Sequence, residues 1–137
     1  MQFTKLAIAL SSPDVADSRD FWVERLGFTP AVELDWYVSL HHADHPSYVV
    51  DLVAADHESL PEDFRGSSVG GTSIALVVDD AAAEEARLRA SGVEIAVALA
   101  DMPWGQRRFH VVAPEGTVVE VVEFIEPDPA WVASLQG

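Results

Sequence analysis

Cysteine is absent from the 137 residues, which excludes disulfides, thiolate metal ligands and a cysteine nucleophile. The redox compartment stays open on that count. Basic side chains are scarce, with 8 Lys and Arg against 23 Asp and Glu and a formal net charge of -15. A field of that sign repels phosphate backbones and anionic lipid, so no nucleic-acid partner and no membrane partner is expected. It would attract a cationic ligand, and it equally serves solubility alone. No apolar run approaches the roughly 20 residues of a membrane-spanning helix. The opening Met1-Gln-Phe-Thr-Lys-Leu6 also lacks the basic and long apolar regions of a secretory signal. The expected location is cytoplasmic.

What is present suits one domain over residues 1–137, since an apolar share of 49% can fill a core at this length. Leu6 to Leu10 reads as a strand, ended by Ser11-Ser-Pro-Asp14. Asp14 is the expected N-cap of a helix that carries Val15, Phe21, Trp22 and Leu26 at helical spacing and stops at Gly27. Strands are expected over Phe28 to Leu34, Trp36 to Leu40 and Tyr48 to Ala54, with His41 to Pro46 as a hairpin connection. Residues 56–71 turn polar and glycine-rich and read as a linker.

The same order then returns. Ser73 to Val78 is an apolar run, Ala81 to Ala90 is rich in strong helix formers, and Gly92 ends that helix. Strands are expected over Val93 to Leu99, Arg107 to Ala113 and Val118 to Phe124. Setting Gly27 on Gly92 gives an offset of 65 residues and brings Asp14 onto Asp79. Two copies are too few for a solenoid, so duplication within one domain is the reading. The expected division is module 1 over residues 3–55, module 2 over 72–125, and a C-terminal tail over 126–137 in which Trp131 docks.

Two stretches carry a resemblance. Asp14-Val-Ala-Asp-Ser-Arg-Asp-Phe-Trp22 followed by Leu26-Gly27-Phe28 is similar to the "D-x-x-x-S-x-x-F-Y … LGF" opening of glyoxalase/bleomycin-resistance/dioxygenase modules. Asp101 to Phe109, then Ala113-Pro-Glu-Gly116 and Glu120, resembles that vicinal oxygen chelate superfamily's second-module ending, "PWGxRxF … DPxGxxxE". The resemblance implies an α+β fold of two tandem βαβββ modules, whose curved, mixed or mostly antiparallel sheet encloses a cavity for a metal or small ligand. Metal-using members take one ligand from the first strand and one from the last strand of each module. Carried over, those positions are Ala7 and Ser73 (or its neighbour Thr72) on the first strands, and Asp51 and Glu120 on the last. Ala7 and Ser73 are poor metal ligands, so no cofactor is expected; two carboxylates alone would suit only weak Mg²⁺ or Mn²⁺ binding.

Other residues come into question on their own chemistry. His41 and His45 read as solvated turn residues, because Pro46 argues against a helix there. Strand alternation sets Arg108 and His110 on one face and Phe109 and Val111 on the other. Glu120 lies between valines, where a carboxylate must be paired, hydrated or turned into a polar cavity. Two readings stand for it: an acid or base acting with His110, or an ion pair with Arg107 or Arg108. Glu123 has the opposite parity and is expected at the solvent. Trp36, Tyr37, Tyr48 and Trp104 are expected at one cavity mouth, where aromatics stack on flat or cationic groups.

Two functions follow as expectations. One is a metal-free, homodimeric binding protein of the bleomycin-resistance type that sequesters an antibiotic or a related planar or cationic metabolite, with Trp36, Tyr37, Tyr48, Trp104, Arg108, His110 and Glu120 against the ligand. The other is a glyoxalase-like lyase or isomerase, either metal-dependent or using Glu120 and His110 as acid and base.

Overall fold

The computed structural model describes every residue except 3, 68 and 137. The expected first residue of module 1, one residue of the expected linker and the last residue of the tail therefore lie outside the described residues. The strands are β1 (Leu6–Ser12), β2 (Thr29–Glu33), β3 (Tyr37–His42), β4 (His45–Ala54), β5 (Ser73–Val77), β6 (Val97–Met102), β7 (Gln106–Val112) and β8 (Val118–Phe124). The helices are α1 (Val15–Asp20), α2 (Ala81–Ala90) and α3 (Pro129–Ser134). Two four-stranded sheets result, in the orders β1-β4-β3-β2 and β5-β8-β7-β6. In each, the first strand runs parallel to the last and the remaining pairs are antiparallel. The expected α+β class and βαβββ order are both present.

The chain separates into two compact units. One is Met1–Gly71 with Ala113–Thr117, and the other is Thr72–Val112 with Val118–Gly137. Residues 56–71, read as a linker, thus belong to the first unit and include a short 3-10 turn, Glu62–Phe64.

In the first unit the Asp14 carboxylate accepts from the Asp17 amide at 3.0 Å and starts α1. The helix runs on into a π-helical turn, Phe21–Arg25. In the second unit the N-cap is Asp80, whose side chain accepts from Ala83 N at 2.9 Å, and not Asp79, which the 65-residue offset sets on Asp14. The repeat offset is therefore 66 residues at the caps and 65 at Gly27 and Gly92, both of which have positive φ. The π turn supplies the difference, because it accommodates one extra residue in the first helix.

Leu10, Val38, Leu40 and Leu52 are buried on one face of the first sheet. Ser12 and Ser18 tie β1 to α1 through a buried hydroxyl pair at 2.8 Å. Trp22 is fully buried, and its indole N–H donates to Glu115 Oε1 at 2.8 Å. Thr117 Oγ1 donates to the same oxygen at 2.8 Å, while Glu115 Oε2 is buried without a partner among the described residues. In the second unit the equivalent face buries Phe109, Val111, Val119 and Val121, with Ala81 and Leu88 buried on α2. Burial of each large side chain is worth roughly 1.5–3 kcal/mol, which makes these two faces the source of fold stability.

Several expectations are corrected. His41 and His42 lie in β3 and His45 begins β4, because the hairpin closes with only Ala43 and Asp44 between the strands. Strand β6 starts at Val97 rather than Val93. Gly92 and Val93 donate back to Arg89 and Leu88, a helix-ending loop that consumes the residues expected to be extended. Glu123 does not face solvent freely; its Oε2 accepts from Ala81 N at 3.1 Å at the start of α2, where a negative charge is favourable. The tail holds the short helix α3, capped by Asp128.

That tail also fixes the turn between β6 and β7. Ile125 N donates to Gly105 O and Asp128 N donates to Pro103 O, each at 2.9 Å. Gly105 has φ +96, and a Cβ there would lie 2.8 Å from Ile125 O and 3.0 Å from Pro127 Cγ. Only glycine allows both the backbone angle and the close approach.

Two stability outcomes follow. Glu115→Ala strands the Trp22 indole and Thr117 hydroxyl, and is expected to cost about 1–3 kcal/mol in urea unfolding; Glu115→Gln, which keeps an acceptor, should cost less. Gly105→Ala is expected to destabilise by more than about 1 kcal/mol and to shift Trp104 fluorescence, whereas a neutral result in thermal melts would show that the turn is not held as described.

Candidate functional site

Cross-strand pairing assembles the main cluster in the second unit. β7 and β8 align His110 with Glu120 and Arg108 with Val122, and β5 sets Ala75 on the other side of Glu120. In-register partners share a face, so Arg108, His110 and Glu120 project together from the side opposite the buried Phe109 and Val111. Arg108 Nη1 donates to Glu120 Oε1 at 3.1 Å, with both side chains largely shielded. Of the alternatives left by the sequence, the ion pair with Arg108 is thus formed. Arg107 has the opposite parity and makes a two-point bridge to Asp101, Nε to Oδ1 at 2.7 Å and Nη2 to Oδ2 at 3.0 Å. Those hydrogen bonds hold the Asp101 carboxyl below the usual carboxylate range and raise the Arg107 guanidinium.

Trp104 lies over this cluster. The Arg108 guanidinium carbon is 5.2 Å from its ring centre, a cation–π arrangement. The indole N–H donates to Gln106 Oε1 at 2.7 Å, which fixes the ring. His110 Nδ1 is buried and has no partner among the described residues. Around these polar groups the same face presents Val77, Val97, Val112 and Phe124, each at least 49% exposed.

In the first unit Asp51 occupies the matching strand position. It sits between Ala9 of β1 and Ser39 of β3, and its Oδ1 is buried without a partner among the described residues. Trp36 precedes β3 and stacks on His57, with centroids 3.8 Å apart and planes 5° from parallel; the Tyr37 ring lies 5.6 Å from Trp36. Tyr48 departs from expectation. Strand parity puts it on the face of Val50 and Leu52, opposite to Asp51, where it is exposed and stacks on His45.

The donor set does not fit the metal that the family resemblance implies. Ala7 offers no donor atom and pairs with Val49; Ser73 offers one hydroxyl and pairs with Val118. Glu120 is engaged by Arg108. No group of three or more His, Asp or Glu side chains able to hold an ion occurs among the described residues, whereas catalytic metal sites commonly keep about three protein ligands. The sequence reading missed Gln106, His57 and Glu115. Only the first carried a signal, a polar side chain two residues after Trp104.

Among the described residues no helix is long and apolar enough to cross a membrane. No curated protein matches the chain in sequence. Among solved structures the fold is similar to a glyoxalase/bleomycin resistance protein/dioxygenase from Nocardioides, with TM-score 0.75 and 22% identity over 94% of this chain and 89% of that one. It is also similar to a lactoylglutathione lyase from Agrobacterium tumefaciens, TM-score 0.70 and 18% identity over 90% and 95% of the two chains. TnmS3, an antibiotic binding protein from Streptomyces sp. CB03234, matches with TM-score 0.70 and 21% identity over 90% and 97%. The sequence profile of the Glyoxalase/Bleomycin resistance protein/Dioxygenase superfamily matches residues 6–121, from the start of β1 into β8, and the chain belongs to that superfamily.

Proposed function

We propose that the chain is a metal-free, small-molecule-binding protein of the bleomycin-resistance type, which sequesters an antibiotic or a related planar or cationic metabolite in the cytoplasm. The observation that carries this reading is the state of Glu120. The carboxylate at the family's last-strand ligand position is held by Arg108, and the first-strand positions Ala7 and Ser73 offer almost nothing to a metal. Binding without chemistry asks only for a stacking surface and a few oriented polar groups, and Trp104, Arg108, His110 and Glu120 supply both. The similarity to an antibiotic binding protein supports the same reading.

The protein works as a homodimer in this proposal. The open face of the second sheet bears Val77, Val97, Val112 and Phe124, an apolar patch of the kind that marks an interaction surface. A second copy would cover it and enclose the polar cluster.

A second reading rests on His110. Its Nδ1, which has no partner among the described residues, lies on the strand beside Glu120, and in this reading the two serve as base and acid in a glyoxalase-like isomerisation. The similarity to a lactoylglutathione lyase favours testing it.

Metal analysis of protein purified without chelator, with light scattering for mass and a melting screen against planar antibiotics, separates the readings. The expected result is less than 0.1 metal per chain, roughly, a particle of twice the chain mass, and a melting rise of roughly 5–10 °C at about 100 times Kd. Trp104→Ala should abolish most of that rise. Stoichiometric metal, or turnover of a hemithioacetal that falls about 10²-fold or more in Glu120→Gln, would instead establish the enzyme.

A further inference from the structure

The two adjacent arginines of β7 are used differently. Arg107 closes on Asp101 with two hydrogen bonds, a complete fork that leaves little for a third partner. Arg108 meets Glu120 through one bond only, Nη1 to Oε1 at 3.1 Å. Among the described residues nothing else engages Arg108 Nε or Nη2, or Glu120 Oε2. The pair therefore presents unused donors beside an unused acceptor while its net charge is zero.

We infer that the compound held on this face is a neutral, planar ring system with a carbonyl acceptor beside an N–H donor, the edge of a lactam or an imide, and not a cation drawn in by the acidic exterior. This rests on the binding-protein reading and narrows its ligand. The carbonyl takes a hydrogen bond from Arg108, and the ring N–H donates to Glu120 Oε2. Two observations exclude a cation from this seat. The negative charge of Glu120 is already matched by Arg108, so a second cation would meet the guanidinium at close range. The Trp104 face that would attract a cation already carries that guanidinium, 5.2 Å from the ring centre. Trp104 is 40% exposed, which leaves ring surface for stacking against an uncharged ring.

The test uses the full chain and three soluble planar probes: riboflavin, which is neutral with an imide edge; proflavine, a cation; and anthraquinone-2-sulfonate, an anion. Affinities are measured by tryptophan quenching and calorimetry at low and high salt. Riboflavin is expected to bind at least tenfold more tightly than either charged probe, with less than a twofold change between salts. Glu120→Gln, which leaves Arg108 unmatched, should move the preference at least tenfold toward the sulfonate; Arg108→Gln should move it toward proflavine. Preference of the unaltered protein for proflavine, or an order of affinities that neither variant changes, overturns the inference and leaves the binding reading standing. Failure of all three probes to bind folded protein up to their solubility limits overturns both.

Discussion

Everything that positions the polar cluster depends on the parallel pairing of the first strand with the last in each sheet. A parallel pair cannot be closed by a tight turn, so the chain must cross over, and the helix of that crossover covers one face of the sheet. Leu10, Leu40 and Leu52 in one unit, and Phe109, Val111 and Val119 in the other, fill the covered face. Strand alternation delivers every second side chain to the opposite face. Asp51 and Glu120 stand on that face because each lies in the last strand, flanked by small alanines of the first.

The cluster around Glu120 answers a conflict between charge and burial. A chain with net charge -15 adds an acidic group to a half-shielded strand, where an unmatched carboxylate would be costly. Arg108 removes the mismatch, and Trp104 and Gln106 hold the arginine's surroundings in place. The result is a locally neutral site within a strongly acidic protein, so long-range attraction and local recognition favour different ligands. The geometry of this seat is set by Gly105 and the C-terminal segment, which anchor the turn carrying Trp104 through two backbone hydrogen bonds.

The duplicated halves show how little sequence identity a shared architecture needs. Asp14 and Asp80 cap equivalent helices, and Gly27 and Gly92 end them, although the step from cap to stop is thirteen positions from Asp14 to Gly27 and twelve from Asp80 to Gly92. The extra residue is absorbed in a π turn around the buried Trp22. A helix can widen by one residue there because the widened turn still directs Trp22 inward, and its indole then meets Glu115.

Composition and pattern alone settled the repeated order of strands and helices, both helix stops, and the shared face of Arg108 and His110, while the α+β class came with the family resemblance. Each follows from local rules: glycine at positive φ ends a helix, and alternation in a strand sorts side chains by parity. Pattern could not decide which of Asp79 and Asp80 caps α2, because both offer the same carboxylate and only the path of the chain chooses. Tyr48 was within its reach, since three positions from Asp51 on one strand it falls on the opposite face by parity alone. Pattern left the partner of Glu120 open between Arg107 and Arg108, and those of Glu123 and Glu115 were beyond it: the first turn of α2 and Trp22 lie up to 93 residues away, and such pairings exist only once distant segments have been brought together.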